Sequence, residues 1–241
     1  MTTVSNPATI DETVRVLVVY YSRFGAIKEL AERIAEGARG LPGATVEIVA
    51  VDDDPPNALR PGETEEARRG RQLALLNQLA RAHAVIAGSP AYFGSMASPL
   101  KRFFEDCATA ESAVLDRTRP WHHYVFRDKI GAAFTSSATP HGGNEQALHS
   151  ILTMMMHLGM VVATPGQRGP ILEHQAAPYG ATAITGAQGQ HTPSEQEAEE
   201  ARYLGQRVAT LAGWLQAGRQ LGVRRQQANL LSGDKPFDPS A

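Results

Sequence analysis

The stretch VRVLVVYYSRFGAI, residues 14–27, constrains the fold more than any other part of this 241-residue chain. Val16 to Tyr20 form a continuous apolar run, which predicts a strand that is buried on both faces. A short loop with Ser22 and Gly25 follows, and apolar residues then recur at the helical period up to Ala38. The stretch therefore predicts a strand, a short loop and a helix that begins at the carboxyl end of the strand.

The loop of this unit suits an anion, because N–H groups at a helix start are unpaired and the helix dipole favours negative charge there. It has one glycine where a dinucleotide-binding turn has three. The chain also lacks the G-x-x-x-x-G-K-[ST] loop of nucleoside triphosphatases. The Ser22 hydroxyl, several N–H donors and the helix start are enough for one phosphate monoester, such as that of FMN. An ordinary turn without a ligand is the alternative that this loop alone leaves open.

The remaining chain continues the alternation of strands and helices. Further strands are predicted at residues 44–51, 84–88, 129–134 and 160–164. Helices are predicted at residues 63–80, from 98 to 104, and from about 144 to Gly159. A last helix is predicted after a capped start at Thr192-Pro-Ser-Glu195, with Pro193 at the first helical position. In the first of these helices, Leu73, Leu76 and Leu79 are expected to face inward. Five strand–helix units predict an α/β fold, a doubly wound five-stranded parallel sheet with helices on both faces.

Three polar, glycine-bearing loops follow the first, third and fourth strands. Such sheets bind ligands outside the carboxyl ends of their strands, where the strand order reverses. The three loops are therefore expected to meet at one site. A long loop at residues 165–191 is also expected to be functional, because loops of this length seldom serve only as connections.

We predict three parts of the chain: an N-terminal arm at residues 1–13, a single domain at 14–218, and a polar tail at 219–241. The net charge of −2 argues against nucleic acid or an anionic membrane as the main partner, and no apolar run is long enough to cross a bilayer. Cys107 is the only cysteine, so an internal disulfide is excluded and a cytoplasmic location is expected. The acids Asp52 to Asp54 stand without a second acidic cluster, so no metal site is predicted.

Five motifs in order resemble the WrbA family of flavodoxin-like NAD(P)H:quinone oxidoreductases. They are YYSRFG, GSPAYFGSMASPLKRFFED, FTSSATPHGGNE, HLGMVV, and PYGATAITGAQG followed by a P-S-E-x-E helix start. The resemblance covers roughly Val14 to Gly213. It implies FMN as cofactor, NADH or NADPH as electron donor, a quinone as acceptor, and a homo-oligomer, either a dimer or a tetramer.

The resemblance also implies a set of site residues. The FMN phosphate and ribityl chain would lie on Ser22, Arg23, Phe24, Gly25, Ala26 and Ile27. The isoalloxazine ring would lie against Pro90, Ala91, Tyr92, Phe93 and Gly94, and against Ser136, Ser137, Ala138, His141, Gly142 and Gly143. His157 aligns with a histidine that approaches the flavin and is a possible catalytic residue, while Trp121 and Phe24 would contact the substrates.

The substrate side departs from the family pattern more than the phosphate side. The usual Thr-Arg of the third-strand loop is Ala91-Tyr92, which replaces a cation near the flavin by a second aromatic residue. We therefore predict FMN-dependent two-electron reduction of quinones by NAD(P)H, with ping-pong kinetics. The alternatives are a flavodoxin-type electron carrier, and an FMN reductase of azo, nitro or chromate acceptors.

Overall fold

The computed structural model describes residues 13–54, 58–114, 125–167 and 178–232. Their elements are β1 Val14–Tyr20, α1 Ala26–Arg39, β2 Ala44–Ala50, α2 Glu65–Arg81, β3 Ala84–Tyr92, β4 Ser95–Met96, α3 Ser98–Val114, β5 Ile130–Ser137, α4 Asn144–His157, β6 Val161–Val162, β7 Ala181–Ile184 and α5 Glu195–Ser232.

The sheet has the parallel order β2-β1-β3-β5, and its fifth position is divided between two short strands. β6 pairs with the first residues of β5, and β7 pairs with its last residues. Because β3 occupies the other edge of β5, both short strands lie on the same side of it. The predicted flavodoxin-like fold is confirmed.

Two apolar layers cover the sheet. Side chains of α2, α3 and α4 pack on one face, and side chains of α1 and α5 pack on the other. α1 and α5 approach very closely, because a β-carbon on Gly205 would lie 1.9 Å from the Ile34 carbonyl oxygen. The predicted apolar stripe of α1 is buried, including Leu30 and Ile34. This packing fixes the start of α1 at the carboxyl edge of the sheet.

The inward orientation predicted for Leu73 is wrong, since this side chain is 39% exposed. Residues three apart drift around a helix by about 60° at each step, so Leu73, Leu76 and Leu79 cannot share one narrow face. The row that faces the sheet is Gln72, Leu76 and Leu79, all of which are buried.

Strand boundaries also differ from the prediction. β3 continues to Tyr92 and β5 to Ser137, because the small polar residues after the apolar runs still pair across the sheet, as Ser89 does with Thr135. Within the predicted loop at residues 165–191, Ala181–Ile184 form β7. α5 runs through residue 218, so the domain boundary placed there coincides with no break in secondary structure and stays a prediction. None of the described helices is long and apolar enough to cross a membrane.

Candidate functional site

A cavity of about 260 Å³ lies at the carboxyl edge of the sheet. We call it the central cavity. It brings together parts of the three predicted loops and of a fourth segment, which belongs to the long loop at residues 165–191 that the sequence predicts to be functional. Its lining consists of Ser22, Arg23, Phe24, Ala26, Ile27, Pro90, Ala91, Tyr92, Ser136, Ser137, Ala138, Thr185, Gly186, Ala187 and Gly189.

The loop after β1 forms the first wall and presents backbone donors. The Ser22 hydroxyl accepts hydrogen bonds from the N–H groups of Gly25, at 3.2 Å, and Lys28, at 3.4 Å. Gly25 precedes α1 with a φ of 102°, a conformation that favours glycine. The N–H groups of Ala26 and Ile27 have no hydrogen-bond partner among the described residues. These two donors at a helix start form a place for one phosphate monoester.

The second wall is the end of β3 and the hairpin that it forms with β4. Phe93 and Gly94 are the two turn residues, with φ values of 53° and 71°, so the turn is of the type that suits the twist of a hairpin. The Met96 N–H donates to Ser150 Oγ on α4 at 2.9 Å, which ties the hairpin to the helix behind it. Phe93 is fully exposed at the tip and does not line the cavity.

The third wall is the end of β5 and the loop that leads to α4. Ser137 Oγ donates to the Thr139 carbonyl oxygen at 2.7 Å, and the Gly142 N–H donates to the same oxygen at 2.9 Å. A β-carbon on Gly143 would lie 3.0 Å from Gly94 Cα, so the second and third walls pack backbone against backbone. These contacts hold Ser136 and Ser137 in fixed positions beside the cavity.

The fourth segment, residues 185–189, follows β7 and closes the cavity. The Thr185 N–H donates to the Ser137 carbonyl oxygen at 2.9 Å. A β-carbon on Gly189 would lie 2.7 Å from Phe24 Cβ, so this segment also packs on the loop after β1. The available sequence signal was the apolar run ATAI followed by the glycine-bearing turn TGAQG, which repeats the strand-and-loop pattern of the other walls.

The segment is anchored by the start of α5. Ser194 and Glu197 form a capping box, in which the Ser194 N–H donates to Glu197 Oε2 at 2.7 Å and the Glu197 N–H donates to Ser194 Oγ at 3.3 Å. Helical residues therefore begin at Glu195, with Pro193 before the cap rather than at the first helical position. Glu197 Oε1 also accepts the Ile184 N–H at 2.8 Å, which joins α5 to the end of β7.

Several predicted site residues border the central cavity without lining it. Gly25 and Gly143 precede helices, Gly94 is in the hairpin turn, and His141 and Gly142 are in the loop before α4. Their contacts with a cofactor stay predictions. Trp121 lies outside the described residues.

His157 is far from the cavity of its own chain. It is the last residue of α4, whose first residue follows the third wall, and a 14-residue helix is about 20 Å long. Next to the end of α4, β6 pairs with the first residues of β5, at the opposite edge of the sheet. The position of His157 therefore does not support a flavin contact within one chain.

Two tyrosines lie beside the central cavity. The Tyr21 hydroxyl donates to Asp53 Oδ1 at 2.9 Å. The pKa of Tyr21 is raised by burial, by this hydrogen bond and by the nearby Asp53 and Tyr92. The Tyr92 hydroxyl is enclosed and has no hydrogen-bond partner among the described residues.

Burial also raises the pKa of the Cys107 thiol, which makes this residue a poor nucleophile.

The comparison with known proteins agrees with this arrangement. The family model described as NADPH-dependent FMN reductase matches residues 14–169. Proteins named NAD(P)H dehydrogenase (quinone) are similar in sequence. The one from Acidovorax ebreus is 36% identical over 85% of this chain and 99% of its own length, and the one from Cupriavidus metallidurans is 36% identical over 83% and 98%.

A solved structure supports the same family. The flavodoxin, WrbA-like protein from Agrobacterium tumefaciens has a TM-score of 0.54 and 26% sequence identity, covering 83% of this chain and 98% of its own. The resemblance to the WrbA family is thereby confirmed. The chain belongs to the NADPH-dependent FMN reductase family and, within it, to the flavodoxin-like, WrbA-type NAD(P)H dehydrogenases (quinone).

Proposed function

We propose that this protein is an FMN-dependent oxidoreductase that reduces quinones by two electrons at the expense of NADH or NADPH. One observation carries the proposal: a cavity at the carboxyl edge of the sheet has N–H donors without a partner among the described residues at one end and a wall of small and aromatic residues at the other. That division matches a ligand with a phosphate monoester at one end and a flat ring system at the other. The names of the related proteins agree with it.

The residues present fit FMN. Its phosphate would be held by the N–H groups of Ala26 and Ile27 and by the Ser22 hydroxyl, with the charge of Arg23 nearby. Arg23 is exposed, and its guanidinium carbon lies 5.6 Å from the centre of the Phe24 ring. Cation and ring therefore stay close together at the mouth of the cavity.

The ring end would lie between the end of β3 and the end of β5. Pro90, Ala91 and Tyr92 supply an apolar and aromatic surface, while Ser136 and Ser137 supply backbone and hydroxyl groups. When bound there, FMN supplies hydride acceptance from a nicotinamide and two-electron donation to a quinone. The chain would position the flavin ring and exclude water from its enclosed side. The described lining residues include no histidine, carboxylate or cysteine that would act as an acid or base.

The substrates would use the one side of the ring that the walls leave open. We therefore expect the nicotinamide to leave before the quinone enters, which gives ping-pong kinetics. A ternary complex of both substrates in steady-state kinetics would contradict this part of the proposal.

The proposal is tested by purifying the protein, recording its visible absorbance for flavin, and following NADH and NADPH oxidation with and without benzoquinone. We expect a yellow protein whose nucleotide oxidation depends on the quinone. A yellow protein that oxidises neither nucleotide would indicate an electron carrier. Faster turnover with azo, nitro or chromate acceptors than with any quinone would indicate the alternative reductase.

We further propose that the protein is a homo-oligomer, a dimer or a tetramer, and that it works in the cytoplasm. The oligomer is favoured by the place of His157, since this residue could approach a flavin only in another copy of the chain. The cytoplasm is favoured by a single buried cysteine, which needs no oxidising compartment. Sedimentation analysis and cell fractionation test these two points. A monomer that is fully active would contradict the first, and recovery outside the cytoplasmic fraction would contradict the second.

A further inference from the structure

A second cavity, of about 280 Å³, lies beside the central one, at the carboxyl end of β2. We call it the β2 cavity. Apolar side chains on β2, α2 and α3 supply part of its lining, and charged side chains of the following loop and of α2 supply the rest. The lining consists of Val49, Ala50, Val51, Asp52, Asp54, Arg60, Arg71, Ala74, Leu75, Gln78 and Phe103. An apolar pocket with a few polar groups is the usual form of a small-molecule site.

The charged side chains of the β2 cavity form an ordered network. Arg71 donates two hydrogen bonds to Glu63, both at 3.0 Å, and a third to the Ala58 carbonyl oxygen at 2.9 Å. Arg60 donates to Asp52 Oδ2 at 2.5 Å, and its N–H donates to Glu63 Oε2 at 2.9 Å. Both guanidinium groups are thus engaged by carboxylates of the chain itself.

Asp54 is different. It lines the same cavity, yet its carboxylate has no hydrogen-bond or ion-pair partner among the described residues. The β2 cavity therefore offers a ligand one available carboxylate, while its two arginines are already paired. Such a site favours hydroxyl or amine donors and disfavours a further phosphate.

Two tyrosines connect the two cavities. Tyr92 lines the central cavity and lies near Tyr21, whose hydroxyl bonds to Asp53 between the two aspartates that line the β2 cavity. β1 and β2 are neighbouring strands, and the Val51 N–H donates to the Tyr20 carbonyl oxygen at 2.7 Å. Adjacent strands are about 4.8 Å apart, so the end of β2 that lines one cavity lies beside the end of β1, whose loop lines the other.

From this juxtaposition we infer that the β2 cavity takes the adenosine end of the nicotinamide nucleotide, with Asp54 on the ribose hydroxyls, and that the protein prefers NADH to NADPH. The inference rests on the proposed function, which brings the nicotinamide end to the central cavity. A dinucleotide carries one ring system at each end of a flexible linker, which suits two adjacent cavities. In other dinucleotide-binding sheets an acidic residue binds the ribose of NAD, whereas the extra phosphate of NADP is met by an arginine.

The kinetic test uses the FMN-loaded protein with benzoquinone as acceptor. We expect kcat/KM for NADH to exceed that for NADPH by about tenfold or more, since the 2′-phosphate would lie against Asp54. Asp54→Asn should raise the KM for NADH by about tenfold and bring the kcat/KM values for NADH and NADPH closer together. Glu66→Gln is the matched control, because Glu66 is an exposed acid on α2 that does not line the cavity. Equal use of both nucleotides, or identical behaviour of the two variants, would overturn the inference.

A steric test uses Ala74→Trp, which would fill the cavity from an exposed position on α2. We expect it to raise the KM for NADH while FMN affinity keeps its wild-type value. Ala67→Trp is the control, since Ala67 is exposed on the same helix and does not line the cavity. An unchanged KM in Ala74→Trp would contradict the inference.

A binding test separates this inference from the proposed function. 5′-AMP is titrated into the FMN-loaded protein by calorimetry, with 2′,5′-ADP as the phosphate-bearing comparison. We expect 5′-AMP to bind more tightly, to leave the flavin absorbance unchanged, and to lose affinity in Asp54→Asn. If 5′-AMP fails to bind, the inference is wrong even if quinone reduction is found. If 5′-AMP binds as expected while no nucleotide is oxidised, the inference about the cavity holds and the proposed function fails.

Discussion

The central cavity and the β2 cavity share one edge of the sheet but are built differently. The donors of the central cavity are backbone N–H groups, and its walls are joined by backbone hydrogen bonds and by glycines in close contact. The charged lining of the β2 cavity is held by two ion pairs, Arg60 with Asp52 and Arg71 with Glu63. The first arrangement depends on steric fit, whereas the second depends on charge.

Because the two cavities are built differently, binding in each should respond to different changes. Backbone donors keep their dipoles at any pH, so binding in the central cavity should respond most to added side-chain volume. Ion pairs near the surface weaken as salt rises or as a carboxylate is protonated. The β2 cavity should therefore respond to pH and salt.

The largest effect is expected for Gly189→Ala. Its β-carbon would lie 2.7 Å from Phe24 Cβ, which forces the loop after β1 to move. Overpacking of this kind costs about 1–3 kcal/mol, so FMN affinity should fall by up to about a hundredfold in a fluorescence titration. Gly166→Ala is the control, because Gly166 has nearly the same φ, 68° against 67°, and no atom within 4 Å of its added carbon. Equal losses in both variants would mean that backbone strain, and not the contact with Phe24, is responsible.

Ser22→Ala is expected to have the next largest effect. It removes the hydroxyl that accepts the Gly25 and Lys28 N–H groups and that lines the phosphate end of the cavity. Loss of a side-chain acceptor at a helix start costs about 1 kcal/mol, so FMN affinity should fall about fivefold. Riboflavin, which lacks the phosphate, serves as the matched ligand, and its affinity should change little. A larger loss for riboflavin than for FMN would place the phosphate elsewhere.

Tyr92→Phe should change stability more than binding. Its enclosed hydroxyl has no partner among the described residues, and an unsatisfied buried group costs about 1 kcal/mol or more. The variant should therefore resist denaturant better than the wild type, by about 1 kcal/mol, with FMN affinity unchanged. A loss of FMN affinity would show that the hydroxyl turns toward the cofactor.

The smallest effect is expected at Glu63, which pairs with Arg71 of the β2 cavity. Hydrogen bonds from Arg71 and from the Arg60 backbone lower the pKa of Glu63 from 4.5 to about 2. Because the folded pKa is the lower one, this group stabilises the fold above about pH 4.5, and the contribution is lost as the pH falls toward 2.

Melting temperatures at pH 6 and pH 3, as reference points about 1.5 units either side of the ordinary value, should reveal this contribution. Glu63→Gln should have a lower melting temperature than the wild type at the higher pH. The difference in melting temperature should become smaller at the lower pH and in high salt. Glu66→Gln, which changes an exposed acid outside the network, should show no such trend. A gap that is independent of pH would contradict the ion-pair account.

Local patterns in the sequence were enough for the fold and for three walls of the central cavity. Apolar runs, the helical period after Gly25 and the glycine-bearing loops each report on a few neighbouring residues, and the predicted Ser22, Ala26, Ser136 and Ser137 line the cavity. The fourth wall belongs to the loop that the sequence predicts to be functional, but its place at this cavity was not predicted, because β7 has only four residues and follows a stretch of prolines and glycines. Its pairing with β5 is a long-range contact that no local pattern contains.

The β2 cavity could not be predicted for a related reason. The partners of Asp52 and Asp53 are Arg60 and Tyr21, which lie 8 and 32 residues away along the chain. His157 depends on whole elements in the same way: the family resemblance implies a flavin contact, and the length of α4 places this residue at the opposite edge of the sheet from the cavity of its own chain. Distances of this kind are set by the packing of whole elements.

The central claim is that one bound FMN passes electrons from a nicotinamide nucleotide to a quinone in two separate half-reactions. The most direct test mixes the FMN-loaded protein with NADH without oxygen, removes the nucleotide, and then adds benzoquinone, while the visible flavin absorbance is recorded. We expect the absorbance to be bleached by NADH and restored by the quinone alone. Absorbance that NADH leaves unchanged, or that returns only while nucleotide is present, would contradict the account.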